Sequence, residues 1–337
     1  MPSKGKTEVQ RNSFIIGDIL GSGNFGNVYK GEIKGLYNPN DKFSIAIKSI
    51  NDVTNEREVE NFLEEIKIMS SIDPHLNLVN MVGSCISEYE INQNLWLLIE
   101  LCDRGDMRKF LIEKSDFIVK GSKDDTLNSR ILIQWSYDIA QGMKFLYKSQ
   151  IMHGDLAARN VLITHNPIKS CRLIAKVADF GLSKDFAQLY KLKYNKEKRV
   201  EIPWKWMAIE YLRDDYFTLT SDVWSFGVVV WEILSFGKMP YGPQSYDELM
   251  QLFDDGFRLP CPIDAKRITT WPVDQFYKRV SEKCFIQDPN ERSTFTEIVK
   301  IIEKELFETE MKEHKLFQEK YEAIHRSNYM RRKFSTT

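Results

Sequence analysis

The stretch "IMHGDLAARNVLIT", residues 151–164, places several chemically different groups close together. Asp155 lies five residues before Asn160, Arg159 lies between them, and an apolar run follows directly. A carboxylate can accept a proton, an amide oxygen can bind a metal ion, and a guanidinium can balance negative charge. The apolar run predicts a strand after this loop. The stretch therefore predicts a polar site that is supported by a buried strand.

The composition is that of an ordinary globular protein. The 337 residues suit one large domain or two lobes, and the net charge of −1 argues against a strongly basic nucleic-acid-binding protein. No apolar run is long enough to cross a membrane, and the first residues have no apolar signal core. The five scattered cysteines fit reduced thiols. These features predict a cytoplasmic location and no nucleic-acid partner.

A second motif, "GSGNFGNV" at residues 21–28, has glycines at Gly21, Gly23 and Gly26. Glycines let backbone N–H groups approach phosphate oxygens closely. The pattern alone is weak, because a dinucleotide-binding turn has the same spacing. That turn opens a helix, whereas "NVYKGEI" continues here as a strand. The context favours a strand–loop–strand flap over phosphates.

Two further motifs supply charged groups. Ala46 and Lys48 are two apart on a predicted strand, so they face the same side and suit a flat ring and a phosphate. A glutamate on the following helix, Glu65 or its neighbour Glu64, could hold this lysine. Asp179 in "ADFGLS", residues 178–183, is a candidate Mg²⁺ ligand on a turn.

The order of predicted elements divides the chain. Strands at 14–50 and 77–101 enclose one amphipathic helix at 55–72, and helices dominate afterwards. A polar insertion is predicted at 114–129, and the residues from about 304 are strongly charged without a sharp apolar stripe.

Together, these motifs resemble those of the eukaryotic protein kinases. GxGxFGxV, AIK, HxDxxxxN and DFG occur in the family's order, and "MAIE", "SDVWSFGVVVWEI" and "DPNERSTF" match later segments. The resemblance implies an α+β, bilobal fold with a small mainly-β N-lobe and a larger mainly-α C-lobe. It implies a tail at 1–13, a kinase domain at 14–308 (N-lobe about 14–101, C-lobe about 103–308) and a charged tail at 309–337.

Within the family, the chain resembles the tyrosine kinases. "DLAARN" and "PWKWMAIE", residues 155–160 and 203–210, have the tyrosine-kinase form, with Arg159 four residues after the acid. The hinge stretch "IELCDRGDMRKFL" and the insertion are similar to those of the VEGF, PDGF and FGF receptor group. The implied activity is transfer of the γ-phosphate of Mg-ATP (or Mn-ATP) to tyrosine hydroxyls of proteins, in signalling.

The resemblance also assigns roles. Asp155 would be the catalytic base, and Asp179 and Asn160 would bind Mg²⁺. Lys48 would contact the α- and β-phosphates and pair with Glu65. Structural roles would fall to Glu210 with Arg292, to Asp222 beneath the catalytic loop, and to a packed His153. The nucleotide would be held by the loop Gly21, Ser22, Gly23, Asn24, Phe25 and Gly26, by Val28, Ala46 and Leu162 around adenine, and by Ile99, Glu100 and Cys102 at the hinge.

The chain departs from the family pattern at two positions. Gly154 stands where most relatives carry an arginine that meets a phosphate on the activation loop, so one phosphate receptor is missing. Tyr194 has the spacing of the receptors' activating tyrosine, and Tyr190 is close by. We hypothesise that activity depends less on loop phosphorylation here, with transient dimers as the route for trans-phosphorylation. Ile209 replaces a family proline. We expect this replacement to have a small effect on stability and little effect on the chemistry.

Two other functions compete with a tyrosine kinase. A pseudokinase scaffold would act through protein contacts, but Lys48, Asp155 and Asp179, which such proteins usually lose, are all present. A serine/threonine kinase is disfavoured by "DLAARN" and "PWKWMA".

Overall fold

The computed structural model describes residues 8–23, 26–35, 41–87, 94–119, 129–185, 203–262 and 273–334. Its first part is a five-stranded antiparallel sheet in the order β1-β2-β3-β5-β4. The strands are β1 Phe14–Gly23, β2 Gly26–Lys34, β3 Lys42–Ser49, β4 Met81–Cys85 and β5 Trp96–Glu100. One face buries a cluster that includes Phe14, Ile33, Ile45 and Leu98. This is the mainly-β lobe that the sequence predicts.

Helix α1, Glu56–Ser71, crosses from β3 to β4 and begins at an N-cap. The Asn55 side chain accepts from the backbone N–H groups of Arg57 and Glu58, which satisfies two donors that a helix start leaves open. The apolar residues at helical spacing are buried, as the pattern predicts: Val59, Phe62, Ile66 and Met69.

The second part is mainly helical. It also contains two small antiparallel sheets, one pairing Ile151–Met152 with Lys184–Asp185 and the other pairing Val161–His165 with Leu173–Val177. Its elements are α2 Met107–Val119, α3 Ser129–Lys148, β6 Ile151–Met152, β7 Val161–His165, β8 Leu173–Val177, β9 Lys184–Asp185, α4 Ile209–Asp214, α5 Ser221–Leu234, α6 Tyr246–Asp254, α7 Val273–Cys284, α8 Phe295–Glu303 and α9 Glu308–Phe334.

Helix α5 lies at the centre of this helical part. Thirteen of its residues are buried, because the sequence "SDVWSFGVVVWEIL" is apolar around the whole helix. The polar residues among them, such as Asp222 and Glu232, therefore need partners inside the protein. Both find them in the loop that contains Asp155.

Three segments differ in structure from their sequence-based interpretation. Residues 77–80, predicted as strand, precede β4 and instead bridge to β8 through Leu78 and Val177. Residues 114–119 of the predicted insertion end helix α2, and 120–128 lie outside the described residues. The predicted tail at 309–337 is helical as far as Phe334.

Helix α9 was difficult to predict because its apolar side chains are few. Met311, His314, Phe317 and Tyr321 nevertheless recur at helical spacing, and the last three are buried against the rest of the chain. At the other end, Val9 of the predicted N-terminal tail donates its N–H to the carbonyl of Ser84, 2.7 Å away.

Candidate active site between the two lobes

Helix α5 fixes the loop that carries Asp155. The Asp222 carboxylate accepts from the N–H groups of His153 (2.7 Å) and Gly154 (3.0 Å), and Glu232 accepts from the N–H of Ala158 (2.9 Å). Because both carboxylates project from one buried helix, the loop backbone is held at two points before and after Asp155.

Asp155 is enclosed by groups of the same loop. Arg159 Nη2 donates to its Oδ1 at 2.6 Å, and Asn160 Nδ2 donates to its Oδ2 at 2.8 Å. Burial raises the pKa of Asp155, although Arg159, His153 and Asn160 act in the opposite direction. A carboxylate with a raised pKa is a better proton acceptor, which suits a general base.

His153 has a structural position, as the sequence predicts. Its ring is fully buried, Nδ1 accepts from the N–H of Asp155 at 3.2 Å, and Nε2 lies 3.0 Å from the carbonyl of Ala178. This pattern requires the proton on Nε2. His153 thereby joins the loop of Asp155 to the segment that leads to Asp179.

Lys48, Glu65 and Asp179 form one network across β3, α1 and the DFG turn. Lys48 Nζ donates to Glu65 Oε1 at 2.7 Å and to Asp179 Oδ1 at 3.1 Å. Burial alone would lower the pKa of Lys48, but the two carboxylates outweigh it and raise this pKa. The neighbouring Glu64 instead pairs with Lys67 at the surface. The structure therefore selects Glu65 from the two candidates.

Asp179 and Asn160 can supply oxygen ligands to a cation. Burial would raise the pKa of Asp179, but Lys48 outweighs this and lowers it, so the group stays ionised. Asp179 has a φ of 63°, in the left-handed region that non-glycine residues seldom occupy. Among the described residues, no cluster of three or more His, Cys, Asp or Glu side chains could hold a metal alone.

Three apolar residues lie on strands around the cleft. Val28 pairs with Lys48, Ala46 pairs with Ile99 of β5, and Leu162 lies on β7. A bridge between Asp106 and Leu162 brings β7 against the segment after the hinge. The structure thus places Val28 and Ala46 on adjacent strands of the first sheet and Leu162 beside the segment after the hinge.

The hinge is more constrained than the sequence indicates. The N–H of Glu100 donates to the carbonyl of Asn80 at 3.0 Å, so this N–H is already engaged. The Glu100 side chain is engaged as well. Its Oε1 accepts from Lys176 Nζ at 2.9 Å and from Asn80 Nδ2 at 2.7 Å. Sequence reasoning missed Asn80 and Lys176, because nothing in their local sequence indicates a partner so far away.

The glycine-rich loop is described on both sides of its tip. Gly21, Ser22 and Gly23 end β1, Gly26 begins β2, and Asn24 and Phe25 lie outside the described residues. At Gly26, φ is +121° and a Cβ would lie 1.8 Å from the carbonyl oxygen of Ser49. Only glycine fits at this position.

The segment Trp204–Trp206 is connected to the loop that carries Asp155. Trp206 Nε1 donates to Glu232 Oε2 at 2.8 Å, and the Arg159 guanidinium lies 4.4 Å from the centroid of the Trp206 ring. Behind it, Arg292 donates to both oxygens of Glu210, at 2.7 and 2.8 Å. Glu232 was missed in the sequence; its only signal was an acid within an apolar helix.

Gly154 adopts a conformation that favours glycine. Its φ is +77°, and an added Cβ would lie 3.1 Å from the carbonyl oxygen of Leu182. The position therefore has no side chain that could reach the activation loop. Tyr190 and Tyr194 lie outside the described residues.

Comparison with known proteins places this cleft in a family. The sequence profile of the protein tyrosine and serine/threonine kinases matches residues 14–302. The chain belongs to this family, which uses ATP and a divalent cation. Among the described residues, no helix combines the length and apolar character needed to span a membrane.

Several similar proteins are receptor tyrosine kinases. The chain is 33% identical over 297 residues to tyrosine kinase receptor Cad96Ca of Drosophila melanogaster, which covers 87% of this chain and 36% of the receptor. It is 31% identical to fibroblast growth factor receptor 1 of Xenopus laevis and 32% identical to that of Pleurodeles waltl, over 90% of this chain and 36% of each receptor. The chain thus spans little more than a third of these relatives.

Proposed function

We propose that this chain is a protein-tyrosine kinase that transfers the γ-phosphate of ATP to tyrosine hydroxyls of proteins. The observation that carries the proposal is the position of Arg159. Its guanidinium contacts the Asp155 carboxylate on one side and the Trp206 ring on the other. The base is thereby tied to the segment 203–210 that would receive a flat phenol ring.

Asp155 would accept the phenolic proton as the tyrosine oxygen attacks the γ-phosphorus. Its raised pKa favours proton acceptance, and the Asn160 amide keeps one carboxylate oxygen oriented. Arg159 offsets the negative charge that Asp155 carries before transfer. Positioning and charge neutralisation, rather than covalent chemistry of the protein, provide most of the acceleration in this reaction class.

Lys48 would bind the α- and β-phosphates as a fixed cation. Glu65 holds the ammonium group, and both side chains are more than nine-tenths buried. Around the nucleotide, the glycine loop of residues 21–26 would cover the phosphates. Val28, Ala46 and Leu162 would enclose adenine beside Ile99, with backbone groups of Glu100 and Cys102 as hydrogen-bonding partners.

The residues present suit a magnesium ion, or manganese in its place. Mg²⁺ commonly takes one or two protein oxygens and completes its shell with water and phosphate oxygens. Asp179, ionised and partly exposed, and the amide of Asn160 are such a pair. A bound Mg²⁺ would neutralise phosphate charge, while the carboxylate and amide hold it in place.

The decisive experiment is incubation with Mg²⁺ and ATP and a mixture of peptides with tyrosine, serine or threonine acceptors. We expect phosphotyrosine from the parent chain and at least a 10³-fold lower rate from Asp155→Asn, as is typical when a catalytic base in such a set is lost. Transfer to serine or threonine would indicate the other kinase class. Bound ATP with no transfer would support a pseudokinase scaffold.

A further inference from the structure

Helix α9 is docked along the helical lobe by a stripe of buried side chains. Phe317 and Tyr321 are 6% and 3% exposed, and they share a cluster with Leu76 and Ile174. Leu76 belongs to the segment between α1 and β4, and Ile174 belongs to β8. The helix therefore covers the contact between the segment before β4 and strand β8.

Polar contacts fix the register of this helix. The Gln318 side-chain oxygen accepts from the N–H of Leu76 at 2.9 Å, and His314 Nε2 lies 2.8 Å from Asn77 Oδ1. Arg172 donates to Glu313 at 3.1 Å nearby. Because these hydrogen bonds are directional, they favour this register of the helix.

Tyr321 is the point at which the helix meets the hinge. Its hydroxyl accepts from Asn80 Nδ2 at 2.8 Å and donates to Glu100 Oε2 at 3.1 Å. Lys176 Nζ lies 4.6 Å from the ring centroid. One phenol thus joins α9, the segment after α1, the hinge and β8.

We propose that Tyr321 is a regulatory phosphorylation site, and that its modification holds α9 in an undocked state, away from the hinge. The acting enzyme would be a second copy of this chain, and this part of the proposal rests on the proposed tyrosine-kinase function. A phosphate adds charge of about −2 and replaces the donor hydroxyl with acceptor oxygens. In the docked position it would face both the Glu100 carboxylate and Lys176, whose Nζ lies 3.4 Å from the Tyr321 hydroxyl. One ammonium group cannot balance a carboxylate and a phosphate of about −2 together, so net negative charge would remain in a buried site, where like charges repel strongly.

Docking and phosphorylation exclude one another in this arrangement. The reaction forms a bond from Tyr321 Oη to the γ-phosphorus of ATP and breaks the bond to the bridging oxygen, so ADP leaves. The phenolic proton passes to Asp155 of the acting copy. Since the docked hydroxyl is buried, transfer requires the undocked helix, and the added phosphate then prevents its return. Release would expose Leu76 and Ile174 and remove one partner from Glu100.

The first test is hydrogen exchange of the full chain carrying Tyr321→Glu. We expect at least about tenfold faster exchange in the second half of α9 and at the Leu76 amide, which corresponds to a loss of docking. Lys320→Glu is the control, because it makes a larger charge change at the neighbouring exposed position and should exchange like the parent. Equal protection in Tyr321→Glu and the parent would overturn the proposal.

The second test uses inactive Asp155→Asn chain as substrate for an added tyrosine kinase of broad specificity. Phe317→Ala should raise the rate of phosphorylation at Tyr321 at least about tenfold, whereas Leu316→Ala, on the exposed side, should not. Equal rates in the Asp155→Asn chain with and without Phe317→Ala would contradict the claim that docking of α9 shields Tyr321. So would a phosphorylated chain whose α9 stays as protected as before.

A wild-type copy of the chain then replaces the added kinase. Phosphate at Tyr321 is the expected result. A copy that phosphorylates tyrosine peptides but leaves Tyr321 unmodified would exclude itself as the acting enzyme. A copy that phosphorylates no tyrosine at all would refute the proposed function. Whether phosphorylation keeps α9 undocked is tested separately, by the hydrogen-exchange and added-kinase experiments.

Discussion

Lys48 and Lys176 are both buried and both bind a carboxylate, but their surroundings differ. Lys48 shares its ammonium group between Glu65 and Asp179, and the Asp179 side chain is 30% exposed towards the cleft. Lys176 is 1% exposed and donates to Glu100 Oε1 and to the carbonyl of Leu78. Exposure does not separate the two networks, because the Glu100 side chain is 24% exposed. They differ in their partners: Lys48 binds Asp179 of the DFG turn, whereas Lys176 binds the hinge residue Glu100 and the Tyr321 hydroxyl of α9. The partners of a buried lysine, and not its burial, therefore indicate which of the two is the candidate for phosphate binding.

The largest difference should appear in the rate of transfer. Lys48→Met removes a cation that would neutralise phosphate charge, so we expect kcat to fall by about 10³-fold or more. Lys67→Met is the control, since Lys67 is an exposed lysine on α1. Initial rates with a tyrosine peptide at saturating ATP measure both. A loss below tenfold in Lys48→Met would contradict the assignment.

Lys176 should affect the stability of the protein rather than the rate of transfer. Lys176→Met leaves the Glu100 carboxylate without its cation, and we expect the free energy of unfolding to fall by about 3 kcal/mol. Because the Lys176 ammonium group is bound by the Glu100 side chain, the Leu78 carbonyl and the Tyr321 hydroxyl, and no phosphate contact is assigned to it, kcat should stay within about tenfold of the parent value. Chemical denaturation and initial rates of the same preparation check both parts. A variant that is fully stable but inactive would reverse the comparison.

The pH dependence should report Asp155. Burial raises its pKa, and a base must be deprotonated to act, so kcat/KM should fall as the pH drops through this raised pKa. The acidic limb should therefore lie above about pH 4, the usual range of an aspartate. A kcat/KM profile with Mg-ATP, on protein shown to be folded at each pH, measures it. A flat profile down to pH 4 would contradict the role.

The smallest effect concerns the activation loop. Gly154 provides no side chain for a loop phosphate, so Tyr194→Phe should reduce the initial rate by no more than about tenfold. Tyr190→Phe serves as the matched control. A decrease of several hundredfold in Tyr194→Phe would show that phosphorylation at this position is required after all.

Short-range patterns made the lobes and the cleft predictable. The amphipathic helix at 55–72, the glycine spacing and the order of Lys48, Asp155 and Asp179 depend on local geometry or on motifs that occur together. The adenine-side residues followed from the resemblance, and the structure places Val28 on β2, Ala46 on β3 and Leu162 on β7. Their roles as ligands remain predictions.

The hinge network could not be predicted in the same way. Lys176 and Tyr321 are 145 residues apart, and each is unremarkable in its local sequence. The stripe of Met311, His314, Phe317 and Tyr321 indicates an amphipathic helix, but no pattern within it identifies the surface that it covers. Tertiary packing decides that, which is why the segment after residue 308 was interpreted as a tail.

The most direct test of a metal-assisted tyrosine kinase is the rate of phosphotyrosine formation against Mg²⁺ concentration, for the parent and Asp179→Asn. We predict saturation with Mg²⁺ in the parent and a loss of about 10³-fold or more in the variant at every concentration, with a folded circular dichroism spectrum in both. A variant that keeps the parent's rate, or a parent that binds ATP without transferring phosphate, would contradict the account.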